Sequence, residues 1–188
     1  AAKRFWKTLL FSLNKKKADD EPVALISVLH SNGLGDAIWC LRTISDEHSH
    51  KIVLFAADVA ERVLPIFEKQ YPDDLRPRQT IQAARDFIAG KIGEKEINTF
   101  VKIFFTLDCA SDWVIPAAVF SARTAAYAAN TVRAANNARD AARYAVLAAG
   151  DATFGHNVPW DKKSYEAAKD AERKAQIQLF HKHFGEQS

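Results

Sequence analysis

The densest set of side chains able to do acid, base or ion-pair chemistry lies between residues 58 and 85. Carboxylates and guanidiniums gathered in this number could form an active site or a recognition surface. They could equally cap helix ends and form bidentate Asp–Arg pairs that lock two helices at a fixed angle. We favour the structural role, because each carboxylate has an evident cap or pair to make. The members of this predicted turn network are Asp58, Glu61, Arg62, Asp73, Asp74, Arg76, Arg78 and Arg85.

Metal-binding and nucleophilic chemistry is represented only by fragments. Glu47 and His50 form a Glu-x-x-His spacing of the kind used in di-iron helix bundles, but such sites need a second fragment and none occurs. Cys40 and Cys109 lie in apolar surroundings, which favours buried thiols over activated nucleophiles. We therefore predict no catalytic residue, no metal ligand and no cofactor, and a metal-dependent helical-bundle enzyme stays an alternative.

Two amphipathic helices must position the turn network. Apolar residues recur at alternating spacings of four and three from Ile52 to Ile66, which indicates one buried helix face. After a compact Tyr-Pro-Asp-Asp connection, Pro77 suits the first turn of a second helix and Gly90 supplies its left-handed stop. The pattern predicts an antiparallel helix hairpin over about 52–70 and 75–90.

The second large feature is alanine. Residues 117–149 are nearly half alanine, and small side chains let helices approach closely, so a long helix or helix pair is predicted over about 113–149. Only 7 glycines and 6 prolines among 188 residues also favour helix over sheet. The expected fold is all-α, a single-domain multi-helix bundle built around the hairpin and this alanine-rich stretch.

The chain divides by charge into a basic amphipathic segment, residues 1–17, and one helical domain, residues 18–188. The segment has six basic residues and no acidic one. Since the whole chain has a net charge of +3, the helical domain has a net charge of about −3. We favour a terminal helix laid on the bundle with its lysines in water. Attachment to the inner membrane surface, or to a partner, stays the alternative. The residues of this possible arm are Lys3, Arg4, Phe5, Trp6 and Lys7.

Charge and cysteine content also bear on compartment and partners. Cys40 and Cys109 are too few to form a disulfide framework, so a reducing, cytoplasmic setting is expected. The absence of a small-residue cleavage site before Lys15 argues against a signal peptide, and no stretch approaches the roughly 20 apolar residues of a membrane span. A mildly acidic body argues against nucleic-acid binding, and Arg123, Arg133, Arg139 and Arg143 do not together share one helical face. The acidic body is compatible with a basic protein partner. The possible partner surface comprises Asp19, Asp20, Glu21, Asp46, Glu47, Trp160 and Asp161.

The hairpin also carries a family resemblance. The run Ala57–Glu68, followed by Tyr-Pro-Asp-Asp and Arg-Pro-Arg, resembles the signature of a family of immunity proteins predicted to neutralise toxins of bacterial polymorphic-toxin systems. Asn32–Leu34 and Asp36–Arg42 also resemble the beginning of that family, so the resemblance runs from Asn32 to Gly90. It implies a non-catalytic protein that neutralises a cognate toxin by direct binding, and it leaves the toxin unidentified.

Overall fold

Every regular element in the described part of the chain is helical. The computed structural model describes residues 2–103, 134–153 and 159–185, and these ranges contain eight α-helices and two short 3-10 turns, with no strand. The all-α prediction is confirmed. The α-helices are α1 Ala2–Ser12, α2 Leu25–Asn32, α3 Leu34–Cys40, α4 Ser49–Gln70, α5 Arg76–Ile88, α6 Glu94–Ile103, α7 Ala134–Asp151 and α8 Lys162–Phe184, and the 3-10 turns are Leu41–Thr43 and Asp46–His48.

Helix α4 lies at the centre of the bundle, packed against α5, α7 and α8. Its buried face is broad, because apolar residues occupy the positions between the predicted ones as well, among them Val53, Phe55 and Leu64. The exposed stripe is narrow and includes Pro65, so the lost backbone donor falls on the solvent side and the helix continues through it. Most of the core is therefore built on this one helix.

The hairpin forms as predicted, with small differences at its ends. Helix α4 starts at Ser49, three residues before the predicted boundary, and α5 runs from Arg76 with Pro77 in its first turn. Gly90 has a φ of 69° and donates its backbone N–H to the Phe87 carbonyl, while Lys91 N–H donates to the Asp86 carbonyl at 2.9 Å. This is a Schellman ending, and it confirms the predicted left-handed stop.

The alanine-rich prediction is confirmed where the structure describes it. Helix α7 begins at Ala134, and residues 113–133 of the predicted stretch lie outside the described residues. On α7, Ala138, Ala141, Ala145 and Ala148 are completely buried. These small side chains let α7 approach both α4 and α8 closely.

Aromatic rings join the last turns of α8 to α4. The rings of Phe55 and Phe180 meet edge to face with centroids 5.8 Å apart, and Phe184 lies 5.9 Å from Phe55 and 4.7 Å from Phe180. All three are buried. Aromatic pairs in this geometry stabilise beyond their buried area, so the C-terminal helix is held firmly in register with the central one.

The three N-terminal helices lie against the same core. Leu9 of α1 is buried, and Phe5 and Leu13 pack against the main apolar cluster. The Asn32 side-chain amide donates to the Phe5 carbonyl at 3.1 Å, which ties α1 to the end of α2. Among the described residues, no helix combines the length and apolarity needed to cross a membrane.

At Gly150, α7 packs against α8 too closely to leave room for a Cβ atom. A Cβ atom added there would lie 2.7 Å from Cε2 of Tyr165 and 2.9 Å from Cγ of Lys169. We expect Gly150→Ala to lower the free energy of unfolding by about 1–3 kcal/mol, because a buried overpacked contact must be relieved. Thermal or urea unfolding measures the change.

Gly35→Ala is the matched control, because a Cβ at Gly35 meets nothing within 4 Å. Since alanine favours helix, we expect this variant to be neutral or more stable by up to about 1 kcal/mol. Equal destabilisation by the two substitutions would contradict the close approach of the helices at Gly150.

Candidate functional site

One carboxylate on the exposed stripe of α4 receives hydrogen bonds from two other helices. Asp58 Oδ1 accepts a bond from Arg85 of α5 at 2.8 Å, and Oδ2 accepts bonds from Lys182 at 2.8 Å and His183 Nε2 at 2.9 Å, both on α8. Arg85 also donates to Glu61 at 2.6 Å. We call this cluster of five residues the Asp58 clamp. It joins α4, α5 and α8 at one point.

The electrostatics of the Asp58 clamp favour a carboxylate that is ionised at neutral pH. Burial by itself raises the pKa of Asp58, but the hydrogen bonds from His183, Lys182 and Arg85 outweigh it and hold that pKa well below its usual range. Both oxygens of the carboxylate are occupied by donors. A carboxylate in this state holds helices together and is poorly suited to exchange a proton with a substrate.

A second, more deeply buried network joins α4, α7 and α8. Glu172 is 5% exposed and accepts a hydrogen bond from Arg62 Nε at 3.0 Å. The side-chain amide of Gln176 has two hydrogen atoms. It donates one to Glu172 at 3.1 Å and the other to the Ala142 carbonyl at 3.0 Å. The buried carboxylate is thus paired and hydrogen-bonded, as burial of a charge requires.

The remaining members of the predicted turn network lie at the hairpin turn itself. Asp74 accepts bonds from its near neighbour Arg76, through the side chain at 2.6 Å and the backbone N–H at 3.1 Å. Arg78 makes a bidentate pair with Glu68 at 2.7 Å across the hairpin. Asp73 is exposed and has no hydrogen bond or ion pair within the described ranges.

The structure therefore divides the eight residues among three sites. Asp58, Glu61 and Arg85 belong to the Asp58 clamp, Arg62 belongs to the Glu172 network, and the other four lie at the turn. The turn borders a depression of about 700 Å³, but its walls are consecutive residues 70–76 and Gln79 of the turn itself. Sequence reasoning missed the distant partners, whose only local signal was polarity within the last helix: Glu172, Gln176, Lys182 and His183.

The acidic residues proposed as a partner surface fall on three segments of the chain. Asp19 and Glu21 both accept hydrogen bonds from Lys15, at 2.8 and 2.6 Å, and Asp20 is exposed beside them. Asp161 caps α8 by accepting the Ser164 backbone N–H at 2.8 Å.

The other members of that set include one prominent apolar group. Trp160 is 62% exposed, Glu47 is exposed, and Asp46 begins the second 3-10 turn. Across the described residues, no hydrogen bond or ion pair connects one of the three segments to another. Several of these acidic groups are thus committed to local contacts.

The metal and thiol candidates can be placed in part. No group of three or more His, Cys, Asp and Glu side chains that could hold a metal ion occurs in the part of the chain that the structure describes. Cys40 is buried, and burial together with nearby Asp36 raises the pKa of its thiol. Cys109 lies outside the described residues.

A concave site with a distinct chemistry lies between α3, α7 and α8. Its volume is about 510 Å³. The floor is apolar and the rim is basic, and we call it the basic-rimmed groove. Its floor residues are Leu34, Ile38, Ala142, Val146, Leu147 and Ile177, its rim residues are Arg139, Arg143, Lys169 and Arg173, and Gly35 and Gln176 complete the lining.

The rim charges are available to a partner to different degrees. Arg139 and Arg143 are exposed and lie four residues apart, so these two do share one face of α7, while Arg123 and Arg133 lie outside the described residues. Arg173 pairs with Asp170 only through an exposed contact three residues away. Such pairs are weak, so a stronger acidic group could replace them.

We expect Asp58→Asn to lower the free energy of unfolding by about 2 kcal/mol or more at neutral pH. Hydrogen bonds to charged groups contribute about 1.5–3 kcal/mol each, and the substitution removes the negative charge that accepts the bonds from Arg85, Lys182 and His183. Urea unfolding tests this. Asp170→Asn removes a carboxylate from an exposed pair and should change stability by less than about 0.5 kcal/mol.

The same variant predicts a pH dependence. Because the pKa of Asp58 is lowered in the folded state, its ionised form stabilises the fold above the ordinary aspartate value of 3.8, and this stabilisation is lost as the pH falls below it. The stability difference between the wild type and Asp58→Asn should therefore narrow on acidification. A difference that stays constant through that range would contradict the assigned role of Asp58.

Comparison with known proteins places these features in a family. A family profile matches residues 42–183, about three quarters of the chain, and this range contains the whole Asp58 clamp and the α7 and α8 walls of the groove. The match extends far past Gly90, where the resemblance in sequence was placed, and it does not include residues 32–41. Comparisons with curated proteins and with solved structures give no significant match. The chain belongs to the family of Imm-5 like putative immunity proteins.

Proposed function

We propose that this protein is an immunity protein that neutralises a cognate bacterial toxin by binding the toxin directly, with no catalytic step of its own. The observation that carries the proposal is the family match over residues 42–183. Blocking a toxin requires a surface complementary to it and no reactive group. A cytoplasmic setting belongs to the same proposal, since Cys40 is a buried free thiol.

We assign toxin contact to the basic-rimmed groove. A partner that docks here gains free energy by covering the apolar floor, and Arg143 and its neighbours on the rim add directional contacts. Arginine is enriched at the energetic centres of protein interfaces, where it forms bidentate bonds with carboxylates. The partner segment that fits is acidic, with an apolar side chain to insert between the rim arginines.

The acidic alternatives fit this role less well. Asp19, Glu21 and Asp161 already accept hydrogen bonds within the chain, and a partner would have to compete for them. The Asp58 clamp is likewise occupied by its own donors. The side chains of the Asp58 clamp hold helices together and have few hydrogen-bonding groups left for a partner. Arg139 and Arg143, in contrast, are exposed to solvent.

The test uses the product of the neighbouring open reading frame, which an immunity function predicts to contain the toxin domain. Wild-type protein should co-purify with that domain and restore growth to cells that express it. Arg139→Glu with Arg143→Glu should raise the dissociation constant by about 100-fold or more, because like charges placed against an acidic partner cost several kcal/mol. Isothermal titration calorimetry measures the constant.

Lys69→Glu with Lys95→Glu is the matched control. Both lysines are exposed, lie on α4 and α6 outside the groove, and give the same change in net charge. This variant should bind as the wild type does. Undiminished binding by the arginine variant would exclude the groove as the contact, and failure of the wild type to bind or protect would refute the immunity function.

A further inference from the structure

The outward face of α1 has a composition that packing against the bundle does not explain. Leu9 is buried and Phe5 and Leu13 pack on the core, so the opposite side of this helix faces outward. Lys3, Lys7 and Phe11 are spaced by four and form one row along that side. Phe11 is 88% exposed, the largest exposure of any apolar side chain described.

A second row of apolar groups borders the first. Trp6 and Leu10 are also spaced by four, and Trp6 is 50% exposed. The Trp6 ring packs edge to face against Phe5 with centroids 5.4 Å apart, so its position is fixed by a residue that is itself anchored on the core. The outward face of α1 therefore presents fixed apolar groups among lysines.

The charge of residues 1–21 is positive, with six basic residues against Asp19, Asp20 and Glu21. No acidic residue precedes Asp19, and Asp19 and Glu21 are both taken by Lys15. Five other basic side chains are exposed and have no ion-pair partner within the described ranges. They are Lys3, Arg4, Lys7, Lys16 and Lys17.

We propose that the outward face of α1 docks this protein on an anionic membrane surface. Aromatic and leucine side chains enter the boundary between headgroups and acyl chains, while lysines pair with lipid phosphates. Eleven residues rise about 16 Å, roughly half of the hydrocarbon core, so α1 lies along the surface.

The shape of the two surfaces separates this site from the toxin site. The face of α1 is the convex side of a single helix and suits a flat, charged layer, whereas the basic-rimmed groove is concave and suits an inserted segment. Helix α1 also lies outside the family match of residues 42–183. The membrane contact would therefore be a property of this chain in addition to its toxin-binding surface.

The experiment is sedimentation of the full chain with vesicles of phosphatidylcholine alone or with phosphatidylglycerol added. The wild type should bind the vesicles that contain phosphatidylglycerol and should not bind those of phosphatidylcholine alone. It should dissociate from the anionic vesicles as the salt concentration is raised. Lys3→Glu with Lys7→Glu should weaken the binding by about tenfold or more, because each substitution replaces attraction to the anionic lipid headgroups by repulsion. Phe11→Ala should weaken it several-fold without changing the melting temperature, because the side chain is exposed.

Two variants outside α1 serve as controls. Lys69→Glu with Lys95→Glu gives the same change in net charge and should bind vesicles as the wild type does. Trp160→Ala removes an aromatic side chain that is 62% exposed and should not change vesicle binding either. Absent or charge-independent vesicle binding by the wild type would overturn the proposal. So would loss of toxin binding in the α1 variants without any vesicle binding, which would assign this face to the toxin instead.

Discussion

The structure depends on enclosing α4 while leaving one narrow polar stripe on it. A helix buried over most of its circumference has few places for charge, and Asp58 occupies one of them between α5 and α8. The carboxylate is tolerated there because three donors converge on it. Arg85 lies 27 residues after Asp58 in the chain, whereas Lys182 and His183 lie 124 and 125 residues after it. Satisfying this single charge therefore fixes the relative positions of the central hairpin and the C-terminal helix.

The same principle repeats deeper in the bundle. Arg62, on the polar stripe of α4, donates a hydrogen bond to the buried Glu172. Gln176 donates to Glu172 and also to the Ala142 carbonyl, which links the network to the backbone of α7. Apolar packing between alanine-lined helices is close but permits sliding along the helix axes, whereas hydrogen bonds with defined partners permit one register. Together these polar contacts hold α7 and α8 at the separation that creates the basic-rimmed groove. The groove is in this sense a consequence of the packing around α4.

Sequence predicted the parts of this arrangement that local spacing controls. The hairpin followed from apolar periodicity with Pro77 and Gly90 at its boundaries, and local turn chemistry decides such features within a few residues. The ion-pair partners did not follow, because Lys182 and His183 meet Asp58 only after the whole bundle closes. The groove was missed for the same reason, since its basic residues become neighbours through packing of separate helices. Asp73 looked like a cap and is not one, since the adjacent Asp74 takes the backbone contact.

We propose that the polar stripe of α4 has a structural role and that the toxin binds at the basic-rimmed groove, which α7 and α8 line together with α3. Hydrogen–deuterium exchange of the protein with and without its toxin domain separates the two regions directly. Toxin binding at the groove should slow exchange in residues 139–147 and 169–177, with little change at the hairpin turn. Protection confined to residues 71–75, with none along the groove, would contradict it.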